Sequence, residues 1–168
     1  MKVNRPLTIF SILSITLYTF AAHADKTKVL FVAGKKSHGY FAHEHNAGSL
    51  LLAKSLNSSG LNFDASVYHN PENSGWPQDK SLFEGIKAVV IYCDGGEKHV
   101  ANNHVGTIDA LQAKGVGVGC LHYGVETVDG ATGDAFLRWI GAYYQLYKSV
   151  NPHWTPKFEK LPHHPVTN

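Results

Sequence analysis

Three apolar runs of strand length punctuate the chain, and each closes on glycine: KVLFVAG (28–34), KAVVIYCDGG (87–96) and GVGVGCLHYG (115–124). They are continuous rather than alternating, the pattern of strands buried on both faces of a parallel sheet. LNFDASVYH (61–69) alternates apolar and polar positions and predicts a fourth strand nearer an edge. Helical spacing fills the gaps between runs. Ala47, Leu50, Leu51 and Leu56 predict one helix that stops at Asn57-Ser58-Ser59-Gly60. Val105, Ile108, Leu111 and Ala113 supply the apolar face of a second over about 103–114, and DAFLRWIGAYY (134–144) reads as a third. The turn-rich stretch with Pro71, Gly75 and Pro77 leaves room for a short helix near Leu82, and the tail from Pro152 is rich in proline and histidine.

Strand and helix alternate with no internal repeat and no linker. This predicts one α/β domain over 25–168, a flavodoxin-like, open, mostly parallel sheet with helices on both faces. Ligands of such sheets gather at the carboxyl ends of the strands. Loop 34–46, loop 93–104 and turn 120–126 should therefore share one rim, which makes His38, His43, His45, Asp94, His99, His104 and His122 candidates for one pocket.

Residues 1–24 fall outside that pattern. Lys2 and Arg5 form a basic start, Leu7–Phe20 is apolar but for Thr, Ser and Tyr, and Ala22-His23-Ala24 fits the small-x-small cleavage rule, so the segment reads as a signal peptide. The competing membrane anchor needs about 18–20 apolar residues, more than this stretch has. The expectation is export to the periplasm or medium with no stable anchor after cleavage.

Composition narrows the partners. With 15 Lys and Arg against 13 Asp and Glu, the charge is nearly balanced and the basic residues are scattered, which argues against nucleic acid. Two cysteines, Cys93 and Cys120, are too few for a disulfide scaffold; each ends an apolar run, where a buried free thiol is the usual occupant, although export would permit a bridge. The oddity is histidine, eleven residues in all. Neutral imidazole is both a versatile metal ligand and a proton carrier near neutral pH.

The motifs carry unequal weight. AGKKS (33–37) lacks the glycine that a phosphate-binding P-loop requires, since Val29 stands there; Lys35 and Lys36 read as a solvated pair. CLHYG (120–124) is more informative, because a buried strand entering a tight turn is the geometry of a nucleophile elbow. Aligning Gly124 with the second glycine of the Gly-x-Cys-x-Gly elbow in amidotransferase-like folds puts His122 where the nucleophilic cysteine would stand and Cys120 inside the strand. His122 is thus the best candidate for acid–base work or as a ligand, with His43 and Asp94 as further catalytic candidates. His38, Gly95, Gly96, His99, Tyr123 and Trp154 are candidates for substrate contact; the two glycines would offer N–H groups to an anion. No HExxH or cysteine-rich zinc pattern is present, so a divalent zinc, iron or manganese ion would need ligands from several loops, with His38, His43 and His122 as the set. Loop solvation is the simpler expectation for His45. Trp139, Tyr143 and Tyr147 at i, i+4 and i+8 could stack on sugar rings, but that spacing is more often a packing face.

Taken together, VLFVAGKKSHG, HEHNAG, GWPQD, AVVIYCDGGEKH, GVGVGCLHYGVE, FLRWIGAYY, VNPHW and LPHHPVT resemble the trehalose-utilisation ThuA-like domain, a branch of the class I glutamine-amidotransferase-like fold, over nearly all of residues 25–168. The resemblance implies a flavodoxin-like sheet and a role in sugar or glycoside utilisation, with glutamine amidotransferase chemistry lost. It also implies further strands past Asn168, hence a domain truncated at its C-terminus, and an aromatic residue where His45 stands. The function expected is a hydrolase, lyase or isomerase acting on a sugar or keto-sugar. The alternatives are a non-catalytic carbohydrate-binding module and a fragment without independent activity.

Overall fold

The computed structural model describes residues 25–70, 75–160 and 162–165; the leader expected at 1–24 lies outside them. Four parallel strands form one sheet in the order β2-β1-β3-β4: β1 Thr27–Ala33, β2 Phe63–His69, β3 Ile86–Tyr92 and β4 Gly117–Leu121. Helix α1, His45–Asn57, follows β1; α2, Val105–Gln112, follows β3; α3, Ala131–Ile140, comes after β4. A short 3-10 turn covers Lys80–Phe83, near the expected Leu82. The flavodoxin-like parallel sheet read from the sequence is the observed architecture.

The two-sided burial of β1 follows from its pleat, which sends alternate side chains to opposite faces. Val29 and Phe31 pack with Ala53 of α1 and Ala65 of β2. Leu30 and Val32 face the larger core with Val89, Ile91, Ile108, Phe136 and Trp139, beneath α2 and α3. Each fully buried aliphatic or aromatic side chain contributes about 2 kcal/mol of transfer free energy. Helices therefore cover both faces, and an all-apolar strand is the result.

Helix α1 corrects one expectation. Ala47, Leu50 and Leu51 point to solvent, with Leu51 65% exposed, while His45, Ser49 and Ala53 form the buried stripe at i, i+4 and i+8. The helix lies so close to the sheet that a Cβ on Gly48 would sit 2.7 Å from the Tyr92 ring. Small side chains fit that gap and leucines do not. Asn57, where α1 ends, gives its side-chain amide to Ala65, accepting from the N–H at 2.7 Å and donating to the carbonyl at 2.9 Å, which satisfies part of the β2 edge.

The third helix is shorter than its apolar pattern suggests. Thr132, Ala135, Phe136 and Trp139 are buried at helical spacing, but Gly141 turns the chain into the left-handed region at φ 82° and ends the helix. Tyr144–Gln145 then forms a short strand, β6, parallel to β5 at Glu126–Thr127, a pair the sequence pattern did not predict. The expected Trp139–Tyr143–Tyr147 helical face is thus broken: Trp139 is core, its indole N–H donating to Asp109 of α2 at 2.7 Å, and Tyr147 is 95% exposed.

Two close approaches set the rim. Gly34, just past β1, donates its N–H to the Tyr92 carbonyl at 2.8 Å, and a side chain at this position would collide with Cys93. A Cβ on Gly124 would lie 2.8 Å from the carbonyl oxygen of Ile91. The chain leaving β1 and the turn leaving β4 are both pressed against the end of β3. The reversal of strand order between β1 and β3 falls here, where open α/β sheets hold their ligands.

Candidate functional site

Three loops deliver four histidines and a carboxylate to that rim. His38 and His43 lie in the loop after β1, His45 opens α1, Asp94 follows β3 and His122 follows β4. The Nε2 atoms of His43 and His122 are 3.1 Å apart, a hydrogen bond in which one ring donates and the other accepts. Oγ of Ser37 lies 3.0 Å from Nδ1 of His38 and 3.0 Å from Nδ1 of His43. The Tyr123 ring packs against all three exposed or half-exposed imidazoles, its centroid 5.8 Å from His38, 4.7 Å from His43 and 4.8 Å from His122.

Backbone strain marks the same residues. His122 has φ 51° and His38 φ 63°, left-handed conformations that non-glycine residues rarely adopt and that cost about 1–2 kcal/mol each. At His122 the chain turns from β4 straight into a 3-10 turn over His122–Val125, and the strain lifts the imidazole above the sheet end as an elbow does. Cys120 stays in β4, where burial pushes its thiol up to about 12. Cys93 is buried, is likewise held at about 12, and both cysteines are free thiols.

The electrostatics favour neutral rings at the centre. His43 is held below the usual imidazole value by desolvation and then by the neighbouring His38, His122 and His45, with Asp94 acting in the opposite direction. His45, expected in solvent, is fully buried instead, with Tyr92 edge-on at 4.8 Å. Its Nδ1–H donates to the Lys35 carbonyl at 2.8 Å, and burial lowers its pKa despite that bond. The His43 ring lies beside that of His45 at 5.7 Å.

Several sequence candidates take other places. His99 is buried; its Nε2–H donates to the Gly124 carbonyl at 2.9 Å and its Nδ1 accepts the Ala101 N–H at 3.0 Å. With both nitrogens used, it pins loop 96–104 to the elbow, and it shares one cleft with His38 and Asp94. His104 stacks on the buried Trp76 at 6.0 Å and lines one cleft with His38 and Asp94. Gly95 and Gly96 pack against Glu126: a Cβ on Gly95 would lie 2.7 Å from Glu126 Cβ, and one on Gly96 3.5 Å from Glu126 Oε1. Trp154 is 68% exposed on the wholly exposed segment 151–160 and shares no ring contact with the rim among the described residues.

Two participants escaped sequence reading. Ser37 has no motif signal, yet it bridges two imidazoles. Glu126 follows the elbow by two residues; burial first, and Asp94 second, raise its pKa above the ordinary carboxylate value. Beside the cluster opens a cleft of about 640 Å³ whose walls include Ser37, His38, Asp94, Lys98, Asn103 and His104.

His38, His43 and Asp94 also form a group that could hold a metal ion, with one ligand atom from each lying within 4.8 Å of the others. Two nitrogens and a carboxylate oxygen suit zinc, iron or manganese. Ligands at about 2.0–2.1 Å in tetrahedral geometry stand about 3.3 Å apart, so loading would draw the three inward. The set expected from sequence had His122 in place of Asp94; His122 instead meets His43 by hydrogen bond. Comparison with protein-family models, with curated proteins and with solved structures finds no match to this chain.

Proposed function

We propose that this protein is an exported acid–base enzyme of carbohydrate utilisation, acting on a sugar or keto-sugar as a hydrolase, lyase or isomerase at the rim of its sheet. The observation that carries the chemistry is the His122 imidazole, held at a strained strand-end turn with its Nε2 3.1 Å from that of His43. A positioned imidazole of this kind moves protons in the transition state and contributes roughly 10²–10⁴-fold to rate. The adjoining cleft is large enough for a sugar unit, and Asp94 beside His38 and His43 supplies a carboxylate to orient them. The substrate class rests on the ThuA-like sequence resemblance. The buried Cys93, the half-buried Cys120 with its raised pKa and the histidine at the elbow support the expectation that glutamine amidotransferase chemistry is absent.

A second reading is favoured by the proximity of His38, His43 and Asp94: a zinc, iron or manganese ion there would polarise a substrate carbonyl. The rival of another class, a non-catalytic carbohydrate-binding module, loses much of its support because Trp139 is core and Trp154 stands apart. The deciding experiment is turnover of a panel of glycosides and keto-glycosides by the purified protein and by His122→Ala. Loss of turnover by 10²-fold or more in a folded variant supports the enzyme. Saturable sugar binding with no product from either protein would leave the binding module standing.

A further inference from the structure

The contacts among Ser37, His38, His43 and His122 restrict where protons can sit. Ser37 has one hydroxyl hydrogen for two imidazole neighbours, and the His43–His122 contact holds one proton between two Nε2 atoms. A neutral imidazole carries one N–H and one lone pair. With every contact made, every ring neutral and the Ser37 hydroxyl hydrogen kept between its two imidazole neighbours, only two arrangements remain. In the first, His122 Nε2–H donates to His43, His43 Nδ1–H donates to Ser37, and the Ser37 hydroxyl donates to His38 Nδ1. In the second, every one of those bonds points the other way. The outer nitrogens, His122 Nδ1 and His38 Nε2, are consequently opposite: when one is a bare lone pair, the other bears a proton.

We propose that these four side chains form a two-state proton relay, so that a proton taken up at one terminal imidazole is matched by a proton released at the other. The inference rests on the acid–base reading above and narrows it to a proton shift on a carbonyl compound with an adjacent C–H bond. From the first arrangement, the substrate C–H bond breaks to His122 Nδ1 and its electron pair remains as an enolate. The Nε2 proton of His122 passes to His43, the Nδ1 proton of His43 passes to Ser37, and the Ser37 hydroxyl hydrogen passes to His38 Nδ1. The Nε2–H of His38 then goes to the enolate oxygen. Five bonds to hydrogen break and five form, with no change in net charge and no oxidant. His38 and His122 are both exposed and both pack against Tyr123, so the two ends open to the same surroundings and reset by exchange with water.

The relay predicts matched tautomers, readable without substrate from long-range ¹H–¹⁵N correlations of the histidine rings in labelled, chelator-washed protein near pH 7.5. The expected result is equal Nε2–H fractions at His38 and His122, with the complementary fraction at His43. Ser37→Ala should break that match between His38 and the other two, and Ser37→Thr, which keeps the hydroxyl, should retain it. Unequal fractions at His38 and His122 in the unmodified protein, or ring nitrogens that Ser37→Ala leaves unmoved, would overturn the relay. So would a tightly retained stoichiometric metal on His38 and His43, because a cation takes the lone pairs the relay needs. Loss of the match leaves the sugar reading to be judged on turnover alone; failure of the sugar panel leaves the tautomer result intact.

Discussion

His43 and His122 are 79 positions apart in the chain, yet their Nε2 atoms meet at 3.1 Å across the ends of β1 and β4, with β3 lying between those strands. The pair exists because Gly34 and Gly124 let two loops close over the end of β3. Removing either ring leaves the other without its partner. We expect His43→Ala to lower kcat on the responsive sugar by roughly 10²-fold, with KM changed little. A kcat within threefold of the unmodified protein would remove His43 from the chemistry.

The strain at His122 predicts a trade between stability and activity. At φ 51° a glycine is relaxed where histidine is not, so His122→Gly should stabilise the fold by about 0.5–1 kcal/mol while abolishing turnover. For a chain of this size that is a rise in melting temperature of about 1–4 °C. A melting temperature that falls would mean that His122 contributes contacts outweighing its backbone strain.

Gly124 has no such latitude. A methyl group there would lie 2.8 Å from the Ile91 carbonyl oxygen, which is backbone and cannot swing aside. Gly124→Ala should cost about 1–3 kcal/mol and shift the elbow, lowering denaturant midpoint and turnover together. Turnover preserved at lower stability would show that the elbow tolerates displacement.

Stability should depend on pH through the buried imidazoles. Burial holds His45 and His99 below their usual value of 6.5. The unfolded chain then takes up protons first on acidification, so the stabilisation is complete above about pH 6.5 and is lost as pH falls through and below that value. Glu126 acts in the opposite sense within the carboxylate range, since its pKa is raised. Thermal melts from pH 8 to 5 should show a falling melting temperature below about 6.5, and His45→Phe should flatten that fall. A melting temperature that climbs on acidification across this window would contradict the assignment.

The metal reading makes a separate prediction. If His38, His43 and Asp94 hold a cation, elemental analysis of protein prepared without a chelating tag should find near-stoichiometric zinc, iron or manganese that drops several-fold in both His38→Ala and Asp94→Asn. Metal unaffected by these substitutions would place it elsewhere.

Much of the fold was legible from strand pattern alone. Continuous apolar runs with terminal glycines marked β1, β3 and β4, because burial on both faces leaves no polar positions. The rim was legible too, since a parallel sheet brings its strand ends together, and His38, His43, Asp94 and His122 do meet there. The faces of α1 were not. Hydrophobicity favours the leucines, whereas a helix pressed against Tyr92 admits only small residues and the ring of His45.

By itself, then, the sequence determined which segments are strands, the parallel α/β class and the elbow at His122, all of which follow from local pattern and the periodicities of backbone geometry. Tertiary structure alone decided that His99 braces Gly124, that Glu126 packs against Gly95, and that Ser37 joins two imidazoles. Those outcomes depend on distances of a few ångströms between residues far apart in the chain, where a buried polar group must take whatever partner the packing brings within reach.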